Sequence, residues 1–352
     1  MEKLKVTVIG LGHQSVFDHI PAVLECDHLM LDSVCDLHGE VVLQIAQKYN
    51  IEGYTSIDEL LVERRPDIAI VCVPHNSYPG IIAKLIQAKV NILKEKPFAL
   101  TIEEAQQYHR MIKKQDVKML VGVQRRFHPI FQSFNQLKSK IGRIFSIEAK
   151  YAVNVQRLDE GWRASLETSG GGALMDMGYH YVDLLLWFFG MPDSITGKLS
   201  LGNREEQDYD VEDTANVSFE YFDPETNHKT IGNLFVSRLF PRKTESIIVL
   251  GSKGSIELTR GSIRRLDVAG NEIECLERKE KWVSAYMEQL ESLVDGIRNN
   301  THSFPNSYLY HYKHLAFIEA VYSSDRQNRT VNPKEIYRQL IPSDFVQNSW
   351  KS

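Results

Sequence analysis

A chain of 352 residues is too long for one ordinary hydrophobic core, so two domains, or one domain with a large partner, are expected. Hydrophobic residues at 43% and charged residues at 25% are ordinary for a soluble globular protein. A net charge of -5, with the basic residues dispersed among the acids, offers no footprint for a phosphate backbone or an anionic membrane, which excludes nucleic acid and membrane as expected partners.

The opening run MEKLKVTVIG enters a strand at once, without a charged segment leading into an apolar signal core, and Val182–Phe189 falls well short of a membrane span. Cys26, Cys35, Cys72 and Cys275 contain no C-x-x-C pair, which suits a reducing compartment. A cytoplasmic location is the expectation.

The first third alternates short apolar runs with helical patterns, as βαβ units of a parallel sheet do. Strands are expected at Lys5–Ile9, Leu29–Cys35, Ile68–Val73, Val90–Leu93 and Lys118–Val123. Helices are expected over Val16–Glu25 and Tyr78–Ala88, and a further one opens at Thr101 as N-cap, with Glu103 and Glu104 suiting its dipole. Past Arg125 the period becomes two, at Arg143–Val153, Ala215–Tyr221, Gly232–Ser237, Ser246–Leu250, Ser255–Thr259 and Ile263–Val268. That rhythm predicts a large, mostly antiparallel open sheet with one face covered. A helix follows Gly170-Gly171-Gly172, two more run over Trp282–Arg298 and Asn306–Asp325, and Asn203–Asp210 reads as a solvated connection. The fold class is therefore α/β. A doubly wound parallel domain over 1–123 is followed by an α/β domain over 124–352.

Three clusters carry chemistry. Gly10-Leu11-Gly12-His13-Gln14-Ser15 follows the first strand and opens a helix, so the backbone can approach a pyrophosphate at the positive helix end. Asp36 ends the second strand, where a carboxylate accepts from ribose hydroxyls. No Lys or Arg follows in Leu37-His38-Gly39 to meet a 2′-phosphate, which favours NAD over NADP. Alternatively, Asp36 simply forms a turn. Lys94-Glu95-Lys96-Pro97 ends a parallel strand, the edge at which such sheets place ligands, and a lysine there can hydrogen-bond a substrate hydroxyl. Asp176, His180 and Asp183 fall at i, i+4 and i+7, so one helix face is expected to present two carboxylates around an imidazole that can accept a proton. The alternative is a buried polar cluster. No third ligand at metal-site spacing and no H-E-x-x-H pattern is found, so no metal site is expected.

Glu95-Lys96-Pro97 and G-G-G-x-L-x-D-x-G-x-H-x-x-D at Gly170–Asp183 resemble the two hallmark motifs of the glucose-fructose oxidoreductase / inositol dehydrogenase (Gfo/Idh/MocA) family. Weaker matches run through nearly the whole chain, at Val71–Pro74, Val121–Phe127, Trp162-Arg163, Val211–Asp213, Gly251–Ser255 and Ala320–Ser324. The resemblance implies a Rossmann domain and a second domain whose open sheet mediates homodimers or homotetramers. It implies a catalytic set of Lys96, Asp176 and His180. Nucleotide contacts are implied at Gly10, Leu11, Gly12, His13, Gln14, Asp36, Val73, Pro74, Asn76, Glu95 and Lys96, and substrate contacts at Arg126, Trp162, Arg163, Asp176 and His180. The implied activity is hydride transfer between NAD and a hydroxyl-bearing carbon of a sugar, cyclitol or related small molecule. An NAD-dependent glycosidase working through transient oxidation and a non-catalytic nucleotide sensor are the alternatives. Two departures from the pattern stand out: Ser15 at the third fingerprint position, and Val73-Pro74-His75 with Tyr78 in place of a T-P-N turn followed by His.

Overall fold

The computed structural model describes residues 2–278 and 282–342. Residues 1, 279–281 and 343–352, all within the two expected domain ranges, lie outside the described residues. The chain divides into two compact units, one of residues 1–127 with 281–311 and one of residues 128–280 with 312–352.

In the first unit β1 (Leu4–Ile9), β2 (Leu29–Cys35), β3 (Glu52–Tyr54), β4 (Ile68–Val71), β5 (Asn91–Glu95) and β6 (Met119–Gly122) form a sheet of order β3-β2-β1-β4-β5-β6. Every pairing is parallel. β4 and β6 are buried throughout, as their unbroken apolar sequences require of strands covered on both faces. The order reverses between β1 and β4, so the loops after these two strands diverge and leave a crevice at their carboxyl ends. Thr101 caps its helix by accepting from Glu104 N at 3.1 Å.

The helix Val283–Arg298 belongs to this unit, although its place in the chain put it with the second domain on sequence. Its buried stripe of Tyr286, Leu290, Leu293 and Val294 joins the core that includes Val6, Ile20, Val23 and Leu93.

The second unit is built on β7 (Ile144–Asn154), β8 (Ser194–Ser200), β9 (Thr214–Asp223), β10 (His228–Ser237), β11 (Leu239–Gly251), β12 (Gly254–Thr259), β13 (Ser262–Leu266) and β14 (Glu272–Glu277). Their order is β14-β13-β12-β11-β7-β10-β9-β8, antiparallel except for β7 with β10. Alternate residues such as Ile147 and Ala149, or Ala215, Val217 and Phe219, are buried, and the helices Tyr179–Phe189 and Tyr312–Gln327 pack against the sheet. Phe222, Ile231 and Leu250 are exposed, and the register sets them on the opposite face. No helix among the described residues is long and apolar enough to cross a membrane.

Asp183 departs from the face expected for it. The segment Leu174–Gly178 is a π-turn before the α-helix begins, and its wider turn rotates the later side chains away from where a continuous α-helix would put them. Asp183 is completely buried and its Oδ1 lies 2.8 Å from His314 Nε2, so it serves the core. Asp183→Ala removes one half of that bond and should cost about 1–3 kcal/mol of stability. Urea unfolding measures this, and an unchanged midpoint contradicts the structural role.

Candidate active site

The two glycines of the first turn are there for different reasons. Gly10 has φ +84°, and a Cβ on it would lie 2.2 Å from the Cys72 carbonyl oxygen, so the fold itself demands glycine. Gly12 is exposed, and nothing lies within 4 Å of where its Cβ would be. The fold does not need that glycine. A backbone kept bare beside an open crevice suits the close approach of a pyrophosphate. Ser15 is buried and its hydroxyl donates to Gly10 O, so the departure at the third position locks the turn.

Asp36 closes the turn from the second strand. Its Oδ2 accepts from Leu11 N at 2.7 Å and its Oδ1 from His38 N at 2.9 Å, with His38 Nδ1 at 2.8 Å. Burial works against the charge, but these donors outweigh it and hold the carboxyl below its ordinary range. The turn-forming role is thus real, and it delivers a fixed anion beside Gly12. On the loop after β4, Val73 and Pro74 are half-buried and Asn76 is exposed. Tyr78 is buried with its ring under Lys94 Nζ, 3.4 Å from the centroid. Tyr78 therefore belongs to the packing behind the loop.

Lys94 and Glu95 are buried and Lys96 is half-buried, so the charged run is no solvated face. Burial drives the Lys94 pKa down to about 7, and its ammonium donates to the Glu95 and Pro97 carbonyls. Glu95 Oε1 accepts from Gln14 Nε2 at 2.8 Å and lies 2.9 Å from His19 Nε2, while Oε2 accepts from Lys96 N at 3.2 Å. Gly122 in β6 is bare because a Cβ there would meet Glu95 Oε1 at 2.7 Å. Gln14, His19 and Lys96 are thereby gathered on one carboxylate. Tyr286, from the returning helix, accepts from Gln124 Nε2 at 2.8 Å and from Gln14 Nε2 at 3.4 Å. His13 is exposed and stacks near Phe17, and Arg126 is half-buried on the segment after β6.

In the second unit Asp176 Oδ2 accepts from Arg163 Nε at 3.0 Å and from Arg238 Nη2 at 3.3 Å. Arg163 also lies over the Trp162 ring, 4.2 Å from its centroid. Trp162, Arg163 and Asp176 are thus brought together, and the half-buried His180 opens the α-helix that follows the π-turn. Gly171 and Gly172 are structural. A Cβ on Gly171 would lie 2.3 Å from the Tyr322 hydroxyl, and one on Gly172 1.9 Å from Glu212 O. Glu212 in turn accepts from Gly172 N at 2.8 Å, Leu174 N at 2.9 Å and the Tyr322 hydroxyl at 3.1 Å, capping the helix that carries Asp176 and His180. Asp213 holds Asn203 and the Tyr209 hydroxyl, at 3.0 and 2.7 Å, so the 203–210 connection is tied down.

His19, Arg238 and Tyr286 lacked a readable signal, because each acts on a partner at least 62 positions away, and a single sequence shows no such pairing; Glu212 stood in the Val211–Asp213 match with no role attached. Distance in the chain likewise hid two groups with metal-ligand chemistry among the described residues, His19/Cys72/Glu95 and Cys26/His28/Glu291. The first is filled by the hydrogen bonds to Glu95 described above.

Two models of one oxidoreductase family match this chain. One, described as NAD-binding Rossmann fold, covers residues 4–123, and the other, a GFO/IDH/MocA C-terminal domain, covers residues 137–257. The chain is 24% identical to an uncharacterized oxidoreductase of Schizosaccharomyces pombe, over 64% of this chain and 62% of that protein. It is 29% identical to the trans-1,2-dihydrobenzene-1,2-diol dehydrogenase of Xenopus tropicalis, over 51% and 54%. The matches span less than two thirds of the length of such relatives. Among solved structures, an aldose-aldose oxidoreductase of Caulobacter crescentus superposes with a TM-score of 0.83 at 21% identity, covering 94% of this chain and 100% of that one.

His19 supplies a test of the carboxylate cluster. Burial favours the neutral ring, but the Cys72 sulfur and Glu95 outweigh it and lift the pKa from 6.5 to about 10. A raised folded pKa means that the stabilisation is complete below about pH 6.5 and is lost as pH rises through about 10. Urea unfolding of wild type and His19→Asn across that range should show a stability gap that closes toward the alkaline end. A constant gap contradicts this charge state.

Proposed function

The chain belongs to the Gfo/Idh/MocA family of oxidoreductases, and on that premise we propose that it moves a hydride between NAD and a hydroxyl-bearing carbon of a sugar, cyclitol or sugar derivative. The observation that carries this reading is the bare, open Gly12 backbone beside the ionised Asp36 at the crossover of a β3-β2-β1-β4-β5-β6 sheet. These residues fit a dinucleotide. Gly10, Leu11, Gly12, His13 and Gln14 would line the pyrophosphate, Asp36 would accept from the ribose hydroxyls, and Val73, Pro74, Asn76 and Glu95 would border the nicotinamide half. Leu37-His38-Gly39 contains no Lys or Arg to meet a 2′-phosphate, which supports NAD over NADP.

A bound nicotinamide supplies the hydride acceptor or donor. In the oxidising direction the imidazole of His180 takes the hydroxyl proton, and Lys96 stabilises negative charge developing on the substrate oxygen. Asp176, held between Arg163 and Arg238, orients the imidazole or a neighbouring substrate hydroxyl. Trp162 offers a ring face to a sugar, and Arg126 a polar contact. The names of the Xenopus and Caulobacter proteins, a diol dehydrogenase and an aldose oxidoreductase, support a polyhydroxylated substrate. Exposed Phe222, Ile231 and Leu250 on the open sheet face support assembly with further copies of the chain.

Two variants separate binding from chemistry. His180→Ala should lower kcat by about 10²- to 10⁴-fold while NAD affinity is unchanged, and an unaffected rate contradicts the assignment. Gly12→Ala should leave Tm unchanged and weaken NAD binding by roughly tenfold, about 1.4 kcal/mol. Wild-type affinity in that variant contradicts the cradle.

A further inference from the structure

A group of side chains unrelated to the crevice lies at the other end of the parallel sheet, where the chain enters β2. Cys26 and His28 sit on the turn between the helix Ile20–Glu25 and β2, and Glu291 projects from the returning helix Val283–Arg298. Cys26 Sγ lies 3.0 Å from Glu291 Oε1, and His28 Nδ1 lies 3.0 and 2.8 Å from its two oxygens. One ligand atom from each of the three falls within 4.8 Å of the others.

We propose that Cys26, His28 and Glu291 bind a zinc ion that clips the returning helix to the entry of β2. A thiolate, an imidazole and a carboxylate form a three-ligand set for this borderline-soft cation, with water completing a tetrahedron. Zinc bonds of about 2.0 Å to N and O and about 2.3 Å to S put tetrahedral ligand atoms about 3.3–3.5 Å apart. The Cys26–Glu291 and His28–Glu291 spacings need only about half an ångström of widening, and the Cys26 and His28 ligand atoms lie within 4.8 Å of each other. Glu291 can supply it, since a third of its side chain is in solvent.

The two ligands on the turn are held in place without the ion. Cys26 O accepts from Leu29 N at 3.3 Å, and His28 O accepts from Leu4 N at 2.9 Å. Tyr286, Leu290, Leu293 and Val294 anchor the helix that carries Glu291. The site also has an entry path, because the His28 side chain is 41% exposed. By contrast, His19 and Glu95 in the other ligand group are buried and the carboxylate is already engaged by Gln14 and Lys96. Burial, with Glu291 beside it, pushes the Cys26 thiol up to about 11, so the ion must displace the thiol proton to solvent as the zinc–sulfur bond forms. No electrons are exchanged.

The test uses the full chain, stripped with chelator, reloaded with zinc and desalted. One zinc per chain should be retained, Tm should rise with zinc and fall again with chelator, and cobalt substitution should produce thiolate-to-metal charge-transfer absorption. Cys26→Ser should abolish that absorption. His28→Asn and Glu291→Gln, both at partly exposed positions that leave the core intact, should weaken zinc affinity by more than about 100-fold. None of the three should change basal turnover. Failure to retain zinc overturns the proposal, as does retention undiminished in all three variants or cobalt–thiolate absorption that survives in Cys26→Ser.

Discussion

A carboxylate placed inside a folded chain is costly unless donors surround it, and Glu95 imposes that condition on everything near it. It sits at the carboxyl end of β5, where the sheet's order reverses nearby, and its demands fix the neighbours. The helix after the glycine turn answers with Gln14 and His19, the following backbone with Lys96 N, and β6 with the missing side chain of Gly122. The same contacts set where the Gly12 backbone stands open and from where Lys96 departs. A motif of three residues thus acts as the junction of three elements.

The second unit obeys a parallel constraint with Glu212. Its carboxylate caps a helix whose first turn is π, and its backbone approaches so closely that Gly172 can carry no side chain, while the Tyr322 hydroxyl that it accepts from excludes one at Gly171. Of the glycines in the two motifs, Gly10, Gly171 and Gly172 are explained by packing alone, whereas Gly12 faces open space. Glycine-rich motifs therefore mix two messages. The absence of a close neighbour marks Gly12 as a glycine that packing does not require.

Much of the fold was legible because it rests on local periodicity. β2 was bounded to the residue, and β4, β6, β7 and β12 to within two, since apolar or alternating runs bracketed by turn residues leave little freedom. β3, β8 and β14 went unread. β3 is three residues long, β8 offers only Ile195 and Leu199 around Gly197 on its covered face, and β14 carries Glu272, Glu274 and Glu277. The positions of Asp36, Glu95, Lys96, Asp176 and His180 were legible from motifs. Their neighbours were not, for Arg238 meets Asp176, and Tyr286 meets Gln14 and Gln124, only through folding. Asp183 shows a limit of helical spacing, because a π-turn upstream cancels arithmetic that assumes 3.6 residues per turn.

The most direct measurement is the appearance of reduced nicotinamide when the full chain is mixed with NAD and each of a panel of sugars, cyclitols, sugar phosphates and nucleotide sugars, alongside Lys96→Ala. The account predicts reduction of NAD by at least one polyhydroxylated compound, with NADP the poorer cofactor and turnover lost in Lys96→Ala. Firm NAD binding with no reduction across the panel, or turnover undiminished in Lys96→Ala, would contradict it.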